Sequence, residues 1–302
     1  MKELLIISGK GGTGKTSLVG GFAVLAENKV LADCDVDAAD LHLILKPTVR
    51  ETREFYASKK AVLDHKRCTG CGVCVEACRF GAIGTGKGRG NDNDEVQIDP
   101  ISCEGCAVCS YACPRGAITM EDNLSGHWFI SDTPYGPLVH ARLGVAEENS
   151  GKLVTQVRRE ARSIAEDQGL DHIITDGPPG IGCPVISSIS GVDLALIVTE
   201  PTVAGTHDME RILELARHFD TKTMVCINKY DLDEGKAEEI ERYCHDEGIQ
   251  VAGRIPFDEE VVNALARGVP AVAPADSGSN QMEGKASKAI RELWMKVSSC
   301  LE

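Results

Sequence analysis

The sequence predicts an α/β protein in which a small α+β unit is inserted into a doubly wound, mostly parallel sheet. Strand-length apolar runs recur along the chain, and their apolarity is continuous rather than alternating, as in strands that are covered on both faces. Plausible helices precede the last three runs. A duplicated cysteine-rich segment separates the second run from the third. The runs cover residues 4–8, 30–33, 172–176, 194–200, 223–229 and 249–255.

The composition is that of a globular protein whose partners are not nucleic acids. The chain has 302 residues, 42% of them hydrophobic and 26% charged, with a formal net charge of −14. Because Lys and Arg must neutralise phosphates, this acidity argues against DNA or RNA as a partner. Thirteen cysteines without an export signal indicate metal or redox chemistry rather than disulfides. We therefore expect a cytoplasmic protein.

Neither end of the chain predicts a membrane span. The first apolar run, "LLIIS", leads straight into a glycine-rich loop, which favours a buried strand over a signal peptide. No apolar run approaches the roughly 18 residues that a spanning helix needs. The segment 285–302 has apolar residues at helical spacing, which favours a final helix packed on the sheet over attachment to a membrane surface.

A phosphate-binding loop follows the first strand. The stretch "GKGGTGKT", Gly9 to Thr16, fits the pattern G-x-x-x-x-G-K-[ST], with a strand before it and a helical pattern after it. Its backbone N–H groups would wrap the phosphates, Lys15 would reach the β- and γ-phosphates, and the Thr16 hydroxyl would bind Mg²⁺. We expect nucleotide contacts from Gly9, Lys10, Gly11, Gly12, Thr13, Gly14, Lys15, Thr16 and Ser17.

Lys10 is a second lysine that the general loop pattern does not require. Together with this lysine, residues 1–45 and 125–302 resemble the MinD/ParA/Mrp and nitrogenase iron protein group of P-loop ATPases. The resemblance implies a homodimer that holds two ATP molecules between its subunits. It implies that Lys10, the mark of a deviant Walker A loop, crosses to the partner's nucleotide and stabilises transition-state charge, as an arginine finger does. We expect residues 1–59 and 123–302 to form this ATPase domain.

Acidic residues follow two of the predicted strands. The resemblance implies that Asp35 orients or deprotonates the attacking water, that Asp33 lies near the metal, and that Asp176 holds Mg²⁺ through water. Acidic residues at strand ends are also common as solvated caps, so each role has a structural alternative. Asp37 and Asp40 compete with Asp35 for the catalytic role.

The stretch "NKYD", residues 228–231, follows a predicted strand and has two interpretations. Its pattern N-K-x-D resembles the guanine-specific motif of small GTPases, in which the aspartate accepts hydrogen bonds from the base. In the MinD-like group the matching asparagine contacts adenine instead. We expect Asn228, Lys229 and Asp231 to lie at the base, and the loop containing Lys10 favours ATP over GTP.

The cysteine-rich segment is an internal duplication. At an offset of 35 residues, 61–84 matches 96–119, and the glycine-rich, charged stretch 85–95 between the copies predicts a solvated loop. We expect a separate domain over 60–122. A unit of this size rarely stabilises itself by core burial alone, and its two halves contain only two aromatic residues, Phe80 and Tyr111. An inorganic group is therefore expected to hold it together.

Each copy has the cysteine spacing of a bacterial ferredoxin, Cys-x-x-Cys-x-x-Cys-x-x-x-Cys. In such runs three thiolates bind one [4Fe–4S] cluster and the fourth binds the other. Two zinc sites are the competing interpretation, because zinc also takes four thiolates. The predicted ligand sets are Cys68, Cys71, Cys74 and Cys113 for one cluster, and Cys103, Cys106, Cys109 and Cys78 for the second.

Two further residues near these motifs draw attention. Cys78 is followed by Arg79, where the second copy has Pro114, and a cation at this point is expected to raise the potential of the second cluster. Cys183 lies seven residues after Asp176, the spacing at which the nitrogenase iron protein has a cluster ligand. It is a candidate for a metal shared between two copies of the chain, and a buried small apolar residue is the alternative.

The motifs together predict an iron–sulfur ATPase. In one interpretation, which resembles the Mrp branch, ATP binding and hydrolysis control the assembly of iron–sulfur clusters or metallocofactors, and the chain passes clusters to an apo acceptor protein. In the alternative, which resembles the nitrogenase iron protein, ATP hydrolysis gates electron transfer to a redox partner. The sequence leaves both open.

Overall fold

In a computed structural model, the chain forms two compact units. The structure describes residues 1–87, 94–144, 147, 150–272 and 284–302. The first unit, called here the nucleotide unit, comprises residues 1–53, 128–142 and 150–302, and the second, called the cysteine unit, comprises residues 54–127 and 143–149.

The described strands form one large sheet and one small ribbon. Nine strands lie in the order β11-β10-β9-β1-β8-β2-β7-β6-β3, and β4 pairs with β5 in an antiparallel ribbon. All the pairings from β11 to β7 are parallel, which confirms the predicted α/β class. The strands are β1 (Lys2–Ser8), β2 (Lys29–Asp33), β3 (Thr48–Leu63), β4 (Ile83–Lys87), β5 (Asp94–Ile98), β6 (Ile118–Thr133), β7 (Gly136–Leu143), β8 (His172–Pro179), β9 (Leu194–Thr199), β10 (Thr223–Asn228) and β11 (Gln250–Ile255).

Helices cover the parallel part of the sheet on both faces. Leu4 and Ile6 of β1 pack in one core with the helices α1 and α10, whereas Leu5 and Ile7 pack in a second core with α7 and α8. Alternate side chains of one strand thus enter opposite cores, which explains the continuous apolar runs. The helices are α1 (Lys15–Leu25), α2 (Leu41–Leu45), α3 (Val73–Ala77), α4 (Val108–Ala112), α5 (Ser150–Gln168), α6 (Cys183–Ile189), α7 (Val203–His218), α8 (Glu234–Asp246), α9 (Glu259–Ala266) and α10 (Lys285–Leu301).

The last helix packs on the sheet, as its apolar spacing predicted. Ile290, Leu293 and Val297 of α10 are buried in the first core, and the ring of Trp294 lies 5.0 Å from that of Phe22. Within the described ranges, no helix is both long and apolar enough to cross a membrane.

Three strands at one edge of the large sheet were not predicted. β6 and β7 are joined by a tight turn in which the Thr133 hydroxyl donates to the carbonyl of Gly136 at 2.7 Å and accepts from the amide of Tyr135 at 3.1 Å. A connection this short makes β6 and β7 antiparallel. The first half of β3 is almost entirely exposed, so it lacks the apolar run that identified the other strands.

The cysteine unit has a small core in which thiols take part. Ala82, Ile83, Val96 and Ile118 pack there, and Cys74, Cys103 and Cys109 are buried among them. The loop predicted over residues 85–95 is shorter than expected, because β4 continues to Lys87 and β5 begins at Asp94. The centre of that predicted loop, residues 88–93, lies outside the described part of the chain.

Candidate functional site

The loop between β1 and α1 is held in shape by glycine backbone and by Asn228. Gly12 and Gly14 have φ angles of 80° and 93°, which only glycine adopts without strain. The Nδ2 of Asn228 donates to the carbonyl of Thr13 at 2.7 Å, and a Cβ atom on Gly14 would lie 2.4 Å from this amide. The loop then enters α1 at Lys15, so that a helix N-terminus points its free N–H groups into the site.

A cavity of about 530 Å³ opens beside this loop, and its volume is in the range of small-molecule sites. Its polar lining combines the loop with acidic residues that follow β2. Its apolar lining comes from β11, α9 and α10. Such a combination suits a ligand with a charged part and a flat apolar part. The lining includes Gly11, Gly12, Gly14, Lys15, Thr16, Ser17, Asp35, Asp40 and Asn228 on the polar side, and Ile255, Phe257, Val261, Val262, Leu265 and Ile290 on the apolar side.

Two buried carboxylates, Asp33 and Asp176, lie side by side on neighbouring parallel strands. Burial raises the pKa of Asp33 well above its ordinary value, and the neighbouring Asp176 raises it further. Burial likewise raises the pKa of Asp176 to about 7, against the charge of Lys15 and a hydrogen bond from Thr16. The Oδ1 atom of Asp176 has no hydrogen-bond partner among the described residues. An unpartnered buried carboxylate oxygen beside a threonine hydroxyl fits a hard divalent cation such as Mg²⁺.

Of the three acidic residues proposed for the attacking water, Asp35 has the environment of a base. It lines the cavity, and burial raises its pKa to about 6, although Lys15 opposes the shift. Asp40 also lines the cavity, whereas Asp37 is exposed and lies outside the described lining. A carboxylate with a pKa near 6 is better placed to accept a proton at neutral pH than an ordinary one.

Glu200, which sequence reasoning missed as a site residue, holds two lysines of the site. Its carboxylate lies 3.1 Å from the ammonium of Lys10 and 2.5 Å from that of Lys229. Lys229 also donates to the carbonyl of Gly12 at 3.1 Å. Although burial opposes it, the hydrogen bonds from the two lysines keep the pKa of Glu200 below its ordinary value. An acidic residue directly after a buried strand was the available signal, since Glu200 follows β9 just as other acids follow β2.

Asp231 supports the wall of the cavity. Its Oδ1 atom accepts a hydrogen bond from the amide of Phe257 at 2.7 Å, and Asp231 lies outside the described lining. Asp258, which follows Phe257, caps α9. Its Oδ1 atom accepts a hydrogen bond from the amide of Glu260 at 3.0 Å, and its Oδ2 atom accepts one from the amide of Ala286 at 3.0 Å. The segment after β11 therefore fixes the starts of α9 and α10, which carry the apolar lining.

The nucleotide-binding features occur in a known family. The CobQ/CobB/MinD/ParA nucleotide binding domain matches residues 4–271. The chain belongs to this family. It is a P-loop ATPase, as the loop from Gly9 to Thr16 predicted.

Relatives of this family differ in how much of the chain they share. The protein MJ0578 of Methanocaldococcus jannaschii, described as uncharacterized, is 33% identical over 299 residues, 98% of this chain and 96% of that protein. An iron-sulfur cluster carrier protein of Pyrococcus horikoshii is 26% identical over 167 residues, 50% and 53% of the two chains. The septum site-determining protein MinD of Pyrococcus horikoshii OT3, solved with Mg-ADP, has a TM-score of 0.55 at 15% identity and covers 98% of this chain and 95% of its own. The last likeness shows the fold alone.

Within the cysteine unit, two small cavities are each lined by four cysteines. Each set combines three cysteines of one copy with the last cysteine of the other copy, so the structure brings together the same sets that the sequence grouped. All thirteen cysteines are free thiols. Among the described residues, no three His, Cys, Asp or Glu side chains are close enough to hold a single metal ion. One cavity is lined by Cys68, Cys71, Cys74 and Cys113, and the other by Cys78, Cys103, Cys106 and Cys109.

Two residues singled out in the sequence lie elsewhere. Arg79 is exposed and lies outside the described lining of both cysteine cavities, so the effect of its charge on the second cluster stays a prediction. The cation that lines a cysteine cavity is Arg115, beside Cys113. Cys183 is exposed at the first residue of α6 and precedes Pro184, so it is not the buried small residue of the alternative interpretation.

Proposed function

We propose that this ATPase carries two [4Fe–4S] clusters and couples ATP binding and hydrolysis to iron–sulfur or metallocofactor assembly, as a cluster scaffold or carrier. The observation that carries the proposal is the pair of four-cysteine cavities in a chain that also has a phosphate-binding loop. Cysteines from both copies converge on each cavity, which matches the crossed ligation of two-cluster ferredoxins. The similarity to a protein named as an iron-sulfur cluster carrier supports this choice, although it spans only half of each chain.

We propose ATP as the nucleotide and Mg²⁺ as its metal. Lys15 would bind the phosphates, and Thr16 and Asp176 would hold the metal, with Asp33 behind them. A bound Mg²⁺ would neutralise phosphate charge. Asp35 would accept the proton of the attacking water, because it lines the cavity with a pKa of about 6.

The contacts of the "NKYD" stretch support ATP over GTP. A guanine-reading aspartate uses its carboxylate on the base, but one oxygen of Asp231 is already bound to the amide of Phe257. Lys229 is bound to Glu200 and Gly12. Competition for labelled ATP on a filter tests this choice, and displacement by GTP at far lower concentrations than by ATP would refute it.

We propose that the active form is a homodimer in which Lys10 acts on the partner's nucleotide. In the single chain Lys10 is bound to its own Glu200, so dimer formation has to break this ion pair. Val203, at the first residue of α7 just after Glu200, is 78% exposed, and Ile186 of α6 and Leu43 of α2 are also exposed. Exposed apolar side chains near a nucleotide site are typical of an interface that forms when the nucleotide binds.

We propose that residues 60–122 form the ferredoxin-like domain of the chain. The fit rests on the donor set, because each cavity offers four thiols in a small, largely apolar space, and amides donate to three of the sulfurs. Gly70 donates to Cys68 at 3.4 Å, and Ala117 donates to Cys113 at 3.3 Å. Such N–H donors stabilise thiolates that bind a cluster. A cluster held there would store one electron at a time or serve as cargo.

ATP-gated electron transfer is the second candidate function, and burial favours it. Cys74, Cys103 and Cys109 are buried, and each ligand set draws on both copies. Clusters held in this way are suited to retention rather than release. An apo acceptor protein separates the two functions, since a carrier loses iron to the acceptor and an electron donor reduces a redox partner without losing iron.

The experiment uses the full chain, purified and reconstituted without oxygen. We expect about eight iron atoms per chain and ATP hydrolysis in the same sample. The loaded protein is then mixed with an apo [4Fe–4S] ferredoxin, with and without ATP, and the two proteins are separated for iron analysis. ATP-dependent appearance of iron on the acceptor supports the carrier. A Cys300→Ser variant is the matched control, because this thiol lies outside both cavities. Zinc in place of iron in the purified protein would contradict both functions.

A further inference from the structure

We infer that the two cysteine-lined cavities are electrostatically unequal. One set consists of Cys68, Cys71, Cys74 and Cys113, and the other of Cys78, Cys103, Cys106 and Cys109. A cluster held by the set ending in Cys113 therefore accepts an electron before a cluster held by the set ending in Cys109. The set ending in Cys113 lines the first cavity, and the other set lines the second cavity. The inference rests on the proposed function, since it requires both clusters to be present. It concerns this chain's own side chains around each cavity.

The duplication supplies an internal comparison of the two cavities. Residues 35 apart occupy matching positions in the two copies, so Phe80 matches Arg115 and Thr69 matches Glu104. Arg115 and Thr69 line the first cavity, and Phe80 and Glu104 line the second. The two residues of each matched pair differ, and both differences make the lining of the first cavity more positive than that of the second. The first cavity has gained a cation, whereas the second has an anion and an aromatic ring.

Backbone contacts to the sulfurs add to this difference. In the first cavity Cys68 and Cys113 each accept a hydrogen bond from an amide, at 3.4 and 3.3 Å. In the second cavity Cys103 accepts one from the amide of Ala61 at 3.5 Å. Lys60 also lies near the second cavity, where its ammonium donates to the carbonyl of Cys103 at 2.9 Å. The charges of Lys60 and Glu104 are opposite and equal, so they sum to about zero at the second cavity, whereas Arg115 contributes a positive charge to the lining of the first.

The added electron decides which cavity is favoured. One-electron reduction adds one negative charge to a cluster and its thiolates, and no bond needs to form or break. Positive charge and N–H donors around the sulfurs stabilise this charge, while an acidic residue and an apolar rim oppose it. The rim of the second cavity is apolar, because Phe80 and Val108 line it and are 43% and 47% exposed. A low-potential one-electron donor would therefore reduce the cluster in the first cavity before the cluster in the second.

The test is a potentiometric titration of the reconstituted full chain, followed by EPR. We expect two separate reduction steps in the wild-type protein. In Arg115→Gln the step at higher potential becomes about tenfold less favourable, about 59 mV for one electron, and the other step stays in place. In Glu104→Thr, which copies the matched Thr69, the step at lower potential becomes more favourable by several-fold. Both shifts shrink as salt is added, because both side chains are exposed.

Controls separate this inference from the proposed function. Arg79→Gln removes a neighbouring exposed cation outside the described cavity linings, and we expect it to shift either step less than Arg115→Gln shifts the step at higher potential. If the protein takes up no iron, the proposed function itself fails. If both clusters form but reduce together, or if Arg115→Gln shifts the lower step, only the inference fails. Should Arg115→Gln fail to retain iron, the shift in Glu104→Thr decides the matter alone.

Discussion

The nucleotide unit and the cysteine unit are stabilised in different ways. The nucleotide unit has two large apolar cores, one on each face of a parallel sheet. The cysteine unit has one small core, and Cys74, Cys103 and Cys109 are part of it. Beside this core lie two cavities, each lined by four cysteine side chains. We therefore expect the first unit to fold from burial alone, and the second to require the group that we propose its thiols bind.

The largest expected effect separates the two units directly. Without iron, the described residues of the cysteine unit should lose their protection from exchange, because metal-binding free energy contributes to folding in a unit this small. The nucleotide unit should keep its protection and still bind ATP. Hydrogen exchange and limited proteolysis of iron-free and reconstituted protein measure both. If the cysteine unit were equally protected in the two samples, it would not depend on a bound group for folding, and the proposed difference between the two units would be wrong.

The next effect is confined to catalysis in the nucleotide unit. Lys10→Gln should lower the rate of ATP hydrolysis on the order of 10³-fold, because we propose that this lysine stabilises transition-state charge on the nucleotide of the partner subunit. ATP binding and iron content should stay unchanged. A steady-state ATPase assay with an equilibrium binding measurement checks this. The control is Lys236→Gln, which removes a helix lysine paired with Glu239. A loss of hydrolysis in the control equal to that in Lys10→Gln would overturn the role.

The third effect is a pH dependence of the buried carboxylates. The pKa of Asp176 rises from 3.8 to about 7 on folding. Between these values the folded chain binds more protons than the unfolded chain, so stability without metal falls as pH rises through this window. A Mg²⁺ ion held by Asp176, as we propose, would have to displace this proton, so the affinity for Mg²⁺ should fall about tenfold per pH unit below about pH 7. Thermal unfolding and Mg²⁺-dependent ATP binding between pH 5 and pH 8 measure the two trends.

The variant Asp176→Asn sharpens the third effect. It cannot ionise, so the stability of the metal-free protein should fall less steeply over this pH range, with the remaining fall due to Asp33 and Asp35, whose pKa values are also raised. Mg²⁺-dependent binding should be lost. Asp171→Asn is the matched control, because Asp171 is an exposed acid of the same unit whose side chain accepts a hydrogen bond from Asn28. A pH profile that is the same in the wild type and Asp176→Asn would show that another group titrates.

The smallest effect tests Asp231, which the sequence analysis placed at the nucleotide base. Because Asp231 accepts from the amide of Phe257, Asp231→Ala should destabilise the nucleotide unit by about 1 kcal/mol. The preference for ATP over GTP should not change. Urea unfolding and the filter competition assay check the two parts. A switch in nucleotide preference would show that Asp231 reads the base after all.

Sequence patterns predicted the parts of the fold that depend on local signals. The six apolar runs became β1, β2 and β8–β11 because a strand covered on both faces must be apolar throughout. The strands β3, β6 and β7 at one edge of the sheet escaped prediction. The first half of β3 is exposed, and polar residues interrupt the apolar pattern of β6 and β7 even where those strands are buried. Pairs such as Lys10 with Glu200, or Asp231 with Phe257, join residues that are 190 and 26 positions apart. No local pattern reports such contacts.

The cysteine unit shows the same limit. The spacing of the thiols indicated two ligand sets, and their grouping in space follows it. Which charge faces which set was not predictable from adjacency. Arg79 is next to Cys78 in sequence and lies outside both described linings, whereas Arg115 lines the cavity that contains Cys113. The duplication offered a usable signal, because matched residues in the two copies differ in charge.

The most direct test of the account is the iron content and EPR of two cysteine variants. Cys68→Ser and Cys113→Ser come from different copies but line one cavity. The account predicts that each variant disturbs the same single cluster and leaves the signal of the other cluster intact, while ATP binding is retained. If the two substitutions instead disturb different clusters, or if the protein holds zinc and no iron, the account is wrong.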